Sequence, residues 1–312
     1  MSGEKSKSSG EHGEKLGLSF LEMIVWSSSL KSVSIKCNNG KHRTPNDNQK
    51  GSHGDDRGYI YNNPFYDNRT DVVHISIKNN LDGYSERDSE LKSQFKGHLE
   101  EANEIIACAQ YDATLLDQLS SFNGRRHKEH SGLLIWTSTD LKSADRNILS
   151  VIKNVRLDET CTKNVYFFDG ARIDFFKKII DHSNTASKGN YEFLYPETGN
   201  LVNRLDERHG KVLPLEMIIA DVIPMKVVID GQETLFVYVN QAFERDAYRR
   251  VLSLALGIAG AWPREVRIGF PDFNVAHHGN EARSSELPFV AREKKFIPFC
   301  FIPSNLDSLT ND

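Results

Sequence analysis

From Leu16 the chain turns apolar. Leu16, Phe20, Met23 and Ser27 share one helical stripe and Leu18, Leu21 and Val25 another. The spacing predicts a helix over 16–30, apolar nearly all round and therefore buried. Residues 1–15 have no apolar face and read as a disordered tail. Residues 38–56 (NNGKHRTPNDNQKGSHGDD) are polar and rich in turn formers, a loop pattern. Gly58–Tyr61 and Asp71–Lys78 (DVVHISIK) follow as strands of a hairpin with its turn over Asn62–Thr70. Leu91, Phe95, Leu99, Ala102, Ile105, Ile106 and Ala109 keep helical spacing and predict a helix over 91–109. A strand at Leu133–Thr137, a helix near Leu141–Val151, a strand at Val165–Phe168 and a helix at Ala171–His182 complete an α/β domain over 16–185. The small polar stretch 183–190 reads as a linker. Beyond it, residues 186–312 form a smaller α/β domain. Its predicted elements are a helix at Leu215–Asp221, a hairpin (Met225–Ile229, Leu235–Val239) about Asp230-Gly231, a helix at Glu244–Ala259, and strands Val266–Phe270 and Phe296–Ile302.

Composition narrows the class. The chain has 312 residues, 38% hydrophobic and 26% charged, with a net charge of −4. That is a globular balance and excludes a polybasic protein whose whole surface binds nucleic acid, though not a local basic cleft. The longest apolar runs, Leu16–Val25 and Leu252–Trp262, are broken by Glu22 or by glycines and fall short of a membrane span. Residues 2–15 lack the apolar region of a secretory leader, so a cytoplasmic location is expected. Cys37, Cys108, Cys161 and Cys300 are scattered with no CxxC spacing, which indicates neither a disulfide framework nor a zinc ribbon. Cys161 and Cys300 read as packing residues, His277-His278 as a loop pair, and Arg125-Arg126-His127-Lys128 as a solvated charge run. No P-loop, GxGxxG or Ser-His-Asp signature supports nucleotide hydrolysis or acyl transfer.

The candidate chemistry lies around the first hairpin. Strand periodicity puts Ser76 and Lys78 on one face and Val73, Ile75 and Ile77 on the other. A hairpin centred near Tyr66 sets Asp56 roughly opposite Ser76, with Asp55 a near-equal alternative. Glu22 is the only charged residue between Lys15 and Lys31. A lone carboxylate on a buried helix needs a partner, and a divalent metal shared with Asp56 would be one.

This arrangement resembles the PD-(D/E)xK nuclease superfamily: a helix bearing a Glu, a hairpin bearing an Asp and an acidic-x-Lys motif, then a helix and a further strand. The resemblance implies an α/β fold with an N-terminal restriction-endonuclease-like domain. It further implies Asp56 (or Asp55) as metal ligand, Lys78 as the residue that orients or activates water, Glu22 as the accessory acid, and Mg²⁺ (or Mn²⁺) as cofactor. The motif departs from the family at Ser76, where Glu, Asp or Gln is usual. DNA would be held by Lys41, Arg43, Lys50 and Arg57 before the site and by Lys92, Gln94 and Lys96 on the following helix.

The segments DDRGYIYNNPFYDNRTDVVHISIKNN, EIIACAQYD, LDERHGKVLPLE, VYVNQAF and SNLDSL also resemble nuclease-like subunits of two-protein bacterial anti-phage defence systems carried on gamma-mobile-trio elements. That likeness implies a second subunit encoded by a neighbouring gene, action on phage DNA, homodimerisation within a hetero-oligomer, and a C-terminal domain for assembly. Ser76 leaves open a catalytically weakened fold that only binds DNA or a partner. A stand-alone restriction endonuclease explains the first domain equally well.

Overall fold

The apolar run after Leu16 forms a helix, but with different limits from those expected. In the computed structural model, which describes residues 2–26, 30–44, 46–140, 142–144, 146–198, 208–292 and 294–302, helix α1 spans Ser2–Met23. It covers most of the segment expected to be a tail and stops well before residue 30. Val25, at φ 64°, takes the left-handed turn that ends it, and the Trp26 N–H donates back to the Leu21 carbonyl at 2.7 Å. The turn delivers Trp26 onto Tyr59, with ring centroids 4.5 Å apart. Residues 27–29 of the predicted helix, Leu141 and the SNLDSL segment lie outside the described residues.

Strand β1 (Leu30–Lys36) was not expected; the alternation in Val33-Ser34-Ile35-Lys36 was its signal. Then come β2 (Ser52–Asn62), β3 (Arg69–Asn80), α2 (Asp88–Ala109), α3 (Ala113–Ser121), β4 (His127–Ser138), α4 (Leu149–Ile152), β5 (Val165–Asp169) and α5 (Gly170–Ser187). The predicted helix over 141–151 shrinks to the single turn of α4, and α3 was missed. Five strands form one mixed sheet in the order β1-β2-β3-β4-β5. The first two pairings are antiparallel and the last two parallel. The parallel β3–β4 pair needs a long crossover, and α2 with α3 supplies it. β3 is buried from Thr70 to Ser76 because it has a strand on each side. On one face Val72 joins Ile105, Cys108, Leu115 and Leu119 of α2 and α3, and on the other Ile77 meets α1 at Gly17. Leu91, Phe95 and Leu99 of α2 pack with Leu134 and Trp136 of β4. Each such fully buried side chain contributes about 2 kcal/mol of transfer free energy.

Compact units comprise residues 1–174 and 175–312, so the division falls within α5. Ser183–Ser187, expected to begin a linker, complete that helix. The second unit continues with β6 (Tyr191–Leu194), β7 (His209–Gly210), α6 (Leu215–Ile218), β8 (Val222–Ile229), β9 (Gln232–Val239), α7 (Arg245–Ala259), β10 (Glu265–Phe270), α8 (Val275–Glu286) and β11 (Lys295–Cys300). Its sheet runs β11-β10-β9-β8-β6-β7. The β8–β9 hairpin turns at Asp230 (φ 49°) and Gly231 (φ 81°), the paired left-handed conformation that an Asp-Gly turn favours. The inner face of α7, with Tyr248, Val251, Leu252 and Ala255, packs on Leu235, Val237, Val266 and Ile268. Among the described residues no helix is long and apolar enough to cross a membrane.

Candidate functional site

The hairpin that carries the candidate residues is paired from Asn62↔Thr70 to Arg57↔Ile75. There the ladder stops. The next N–H along that edge of β3, from Ile77, donates instead to the Asp56 carboxylate at 2.8 Å. A side chain has replaced backbone at the point where β2 leaves β3, and the opened end of the hairpin exposes Asp56 beside Ser76-Ile77-Lys78. Asp55 is directed elsewhere. It is only 3% exposed, and its Oδ2 lies 2.6 Å from Nδ1 of His74, whose Nε2 lies 3.1 Å from Nδ1 of His130. Burial raises the pKa of Asp55, and the His74 contact offsets part of the rise.

Around Asp56 the charges converge. Lys78 donates to Glu101 of α2 at 2.8 Å, and Arg57 donates to Glu14 of α1 at 3.1 Å. Desolvation pushes the Asp56 pKa up. The Ile77 N–H and the Lys78 charge oppose that rise, while Glu101 and Glu14 add to it by repulsion. Three carboxylates, Asp56, Glu101 and Glu14, share two cations, Lys78 and Arg57, and are therefore one positive charge short. His98, one turn before Glu101, is held neutral down to about pH 4, first by burial and then by the Lys78 charge.

The expected residues divide accordingly. Asp56 and Lys78 share this end of the hairpin, and Ser76 lies between them in sequence order, 7% exposed. Glu22 is exposed, on a shallow groove of α1 shared with Glu14, Lys15, Leu18 and Ser19. The acid that α1 brings to Asp56 is Glu14, inside the segment read as a tail. Lys50 is paired with Glu104 at 2.5 Å, Arg57 with Glu14, and Lys96 with Asp158 at 3.1 Å. Lys41, Arg43 and Gln94 are exposed and Lys92 is half-buried. Sequence reasoning missed Glu101, yet the signal was present: from Gln94 the helical repeat leads along one face to His98 and Glu101. The Arg125 guanidinium donates to the carbonyls of Asn63 and Tyr66, so the first residue of the basic run clasps the hairpin turn.

A comparison of the sequence with protein families matches residues 1–172 to the GAPS4 protein PD-(D/E)XK nuclease domain. The chain belongs to this family. The matched span is over half of the 312 residues and ends within two residues of the boundary of the first compact unit. The GAPS4 nuclease domain is thus the five-stranded sheet with α1 to α4, and the opened β2–β3 hairpin lies at its centre. No curated protein and no solved structure matches the chain. The carboxylate beside Lys78 comes from Glu101 of α2.

Proposed function

We propose that the chain is a metal-dependent DNA endonuclease acting as the effector of a two-protein anti-phage complex. The observation that supports this most directly is the meeting of Asp56, Lys78 and Glu101 where β2 parts from β3. Asp56 and Glu101, with Glu14 nearby, offer hard carboxylate oxygens of the kind that hold Mg²⁺ or Mn²⁺, and the surplus of negative charge around Asp56 fits a cation. Mg²⁺ held there would polarise the scissile phosphate and acidify a water. The remaining work belongs to the chain. The Ile77 N–H fixes one oxygen of Asp56 and so sets its rotamer. Glu101 anchors the Lys78 ammonium, which neutralises charge developing on the phosphate. On this reading Glu101 takes the role that the acidic residue before the lysine plays elsewhere in the family, and Ser76 is no defect. Lys41, Arg43, Lys92 and Gln94 hold the DNA backbone, Arg57 braces Glu14 beside the site, and Lys50 and Lys96 are engaged by Glu104 and Asp158.

The second unit serves assembly with a protein encoded by a neighbouring gene, in the cytoplasm. Val275 and Leu287, 71% and 70% exposed at the two ends of α8, offer it apolar surface. The test is cleavage of linear and circular DNA with Mg²⁺, by wild type and Asp56→Asn, with and without the neighbouring protein. Cleavage only with the second protein, lost in Asp56→Asn, supports the full proposal. Cleavage by the chain alone makes it a stand-alone endonuclease. DNA binding without cleavage under any condition contradicts the catalytic reading.

A further inference from the structure

Away from this site, four residues with no common motif come together. Cys37 directly follows β1, His42 lies in the loop after it, His53 is on β2 and Cys108 is near the end of α2. All four are buried, and one ligand atom from each lies within 4.8 Å of the other three. The spacing showed no zinc pattern because the two cysteines are 71 residues apart in sequence, yet their sulfurs are 4.0 Å apart.

Hydrogen bonding does not account for the cluster. Three atoms converge on His42 Nδ1: Cys37 Sγ at 3.5 Å, Cys108 Sγ at 3.5 Å and His53 Nε2 at 3.2 Å. One imidazole nitrogen gives or receives a single hydrogen bond, so two of the three contacts are left unexplained. A cation at the centre explains all of them. For zinc–sulfur bonds of about 2.3 Å and zinc–nitrogen bonds of about 2.0 Å, the edges of a tetrahedron are about 3.8 Å between sulfurs, 3.5 Å between sulfur and nitrogen and 3.3 Å between nitrogens. The four separations given above match these edges to within about 0.2 Å, and the remaining two, from His53 to each sulfur, are within 4.8 Å. On its outer side His53 Nδ1 faces the carboxylate of Glu104 at 3.8 Å, longer than a hydrogen bond, and Glu104 is held by Lys50.

We infer that Cys37, His42, His53 and Cys108 form a structural zinc site, with His42 bound through Nδ1 and His53 through Nε2. The His42 Nε2–H then faces the Asn39 side-chain amide, whose nitrogen stands 3.0 Å away, and the amide must turn so that its oxygen accepts. Two thiolates and two imidazoles in a closed, buried tetrahedron select Zn²⁺ over the hard cations suited to the carboxylate cluster. The site ties the β1–β2 connection and the first residues of β2 to α2. His53 lies three residues before Asp56, on the part of β2 that has no ladder to β3. The zinc thus secures the half-strand that presents Asp56.

The test is elemental analysis of the full chain purified without chelator, together with replacement of its metal by Co²⁺. Expected are about one zinc per chain and, for the cobalt form, the intense visible ligand-field bands and sulfur-to-metal charge transfer of a tetrahedral thiolate site. Cys108→Ser should lose the metal, while Cys300→Ser and Asp56→Asn keep it. If Cys108→Ser fails to fold, zinc-edge X-ray absorption on wild type decides, with two sulfur and two nitrogen neighbours expected. A metal-free chain in which Cys37 and Cys108 titrate as free thiols, or prove to be joined by a disulfide, overturns the inference. So does a cobalt spectrum from oxygen ligands alone.

Discussion

Glycine in a helix interior invites replacement by alanine, which gains about 1 kcal/mol in helix propensity. In α1 the packing opposes that gain. A Cβ on Gly13 would stand 2.3 Å from Cβ of Asn79, against the roughly 3.5–4.0 Å at which carbons rest. Asn79 Cβ is fixed to the β3 backbone, so no rotamer change removes the overlap, and α1 would have to lift from the sheet by about 1 Å or more. Overpacking of this kind costs about 1–3 kcal/mol. At the upper end of that range Gly13→Ala loses about 2 kcal/mol net of propensity, which lowers the melting temperature of the nuclease domain by roughly 4–8 °C. Gly17→Ala meets the flexible end of Ile77 at 2.7 Å and should lose less. Gly97, in α2, has nothing within 4 Å of its Cβ position, so Gly97→Ala should stabilise the same domain by about 0.5–1 kcal/mol. Urea and thermal melts of the three variants provide the assay. Gly13→Ala melting at or above wild type would refute the reasoning, because propensity would then have outweighed a contact the fold cannot make.

Three further outcomes are expected. His130, His98 and His182 have pKa values lowered to about 3, 4 and 4, mainly by burial and then by positive neighbours. The unfolded chain therefore binds more protons from the ordinary histidine value of 6.5 downward, and stability present above that pH is lost as it falls towards 4. Each group contributes up to about 1.4 kcal/mol per pH unit. The raised carboxylates Asp55, Asp56 and Asp169 oppose this, because their contribution is full below 3.8 and declines as pH rises through their folded values. Urea midpoints from pH 7 to 5 should fall and His182→Asn should flatten the slope; an unchanged slope counts against the assignment. Asp112 caps α3 through Leu115 N–H and also accepts the Lys36 N–H of β1, both at 3.0 Å. Asp112→Ala should cost about 2–4 kcal/mol, the loss of a cap plus an orphaned donor, and a loss under 1 kcal/mol in a denaturant titration would show the cap alone to matter. In the second unit the Tyr248 hydroxyl donates to Glu286 at 2.7 Å, so Tyr248→Phe should lose about 1–2 kcal/mol, whereas equal or greater stability would show the bond to be worth nothing net.

Much of the nuclease fold was legible because its apolar periodicity is regular. The stripe from Leu91 to Ala109 marks α2, and Val72, Val73 and Ile75 mark the buried centre of β3. The hairpin's centre at Tyr66 emerged from strand lengths alone, since the paired positions 57–75 through 62–70 are symmetric about it. Part of what escaped comes from polar residues occupying buried positions. The first half of β2 alternates exposed Ser52, Gly54 and Asp56 with buried His53 and Asp55, so a strand pattern presents itself as a hydrophilic loop. Glu14 was hidden in a segment with no apolar face, and its α1 turn approaches the sheet through Gly13 and Gly17, which carry no hydrophobic signal. The Cys37, His42, His53 and Cys108 cluster is assembled by tertiary packing across 71 residues and is invisible to local spacing.

The central claim is that Lys78 and Glu101 act as one hydrolytic unit with Asp56. Its most direct test is a double-mutant cycle on DNA cleavage: wild type, Lys78→Ala, Glu101→Gln and the pair, assayed with Mg²⁺ under whichever partner condition supports turnover. The account expects each single variant to lose at least about 10²-fold in rate, with the double variant hardly worse than Lys78→Ala, because residues that serve one step are not additive. Full activity in Lys78→Ala, or losses that simply multiply in the double variant, would contradict it.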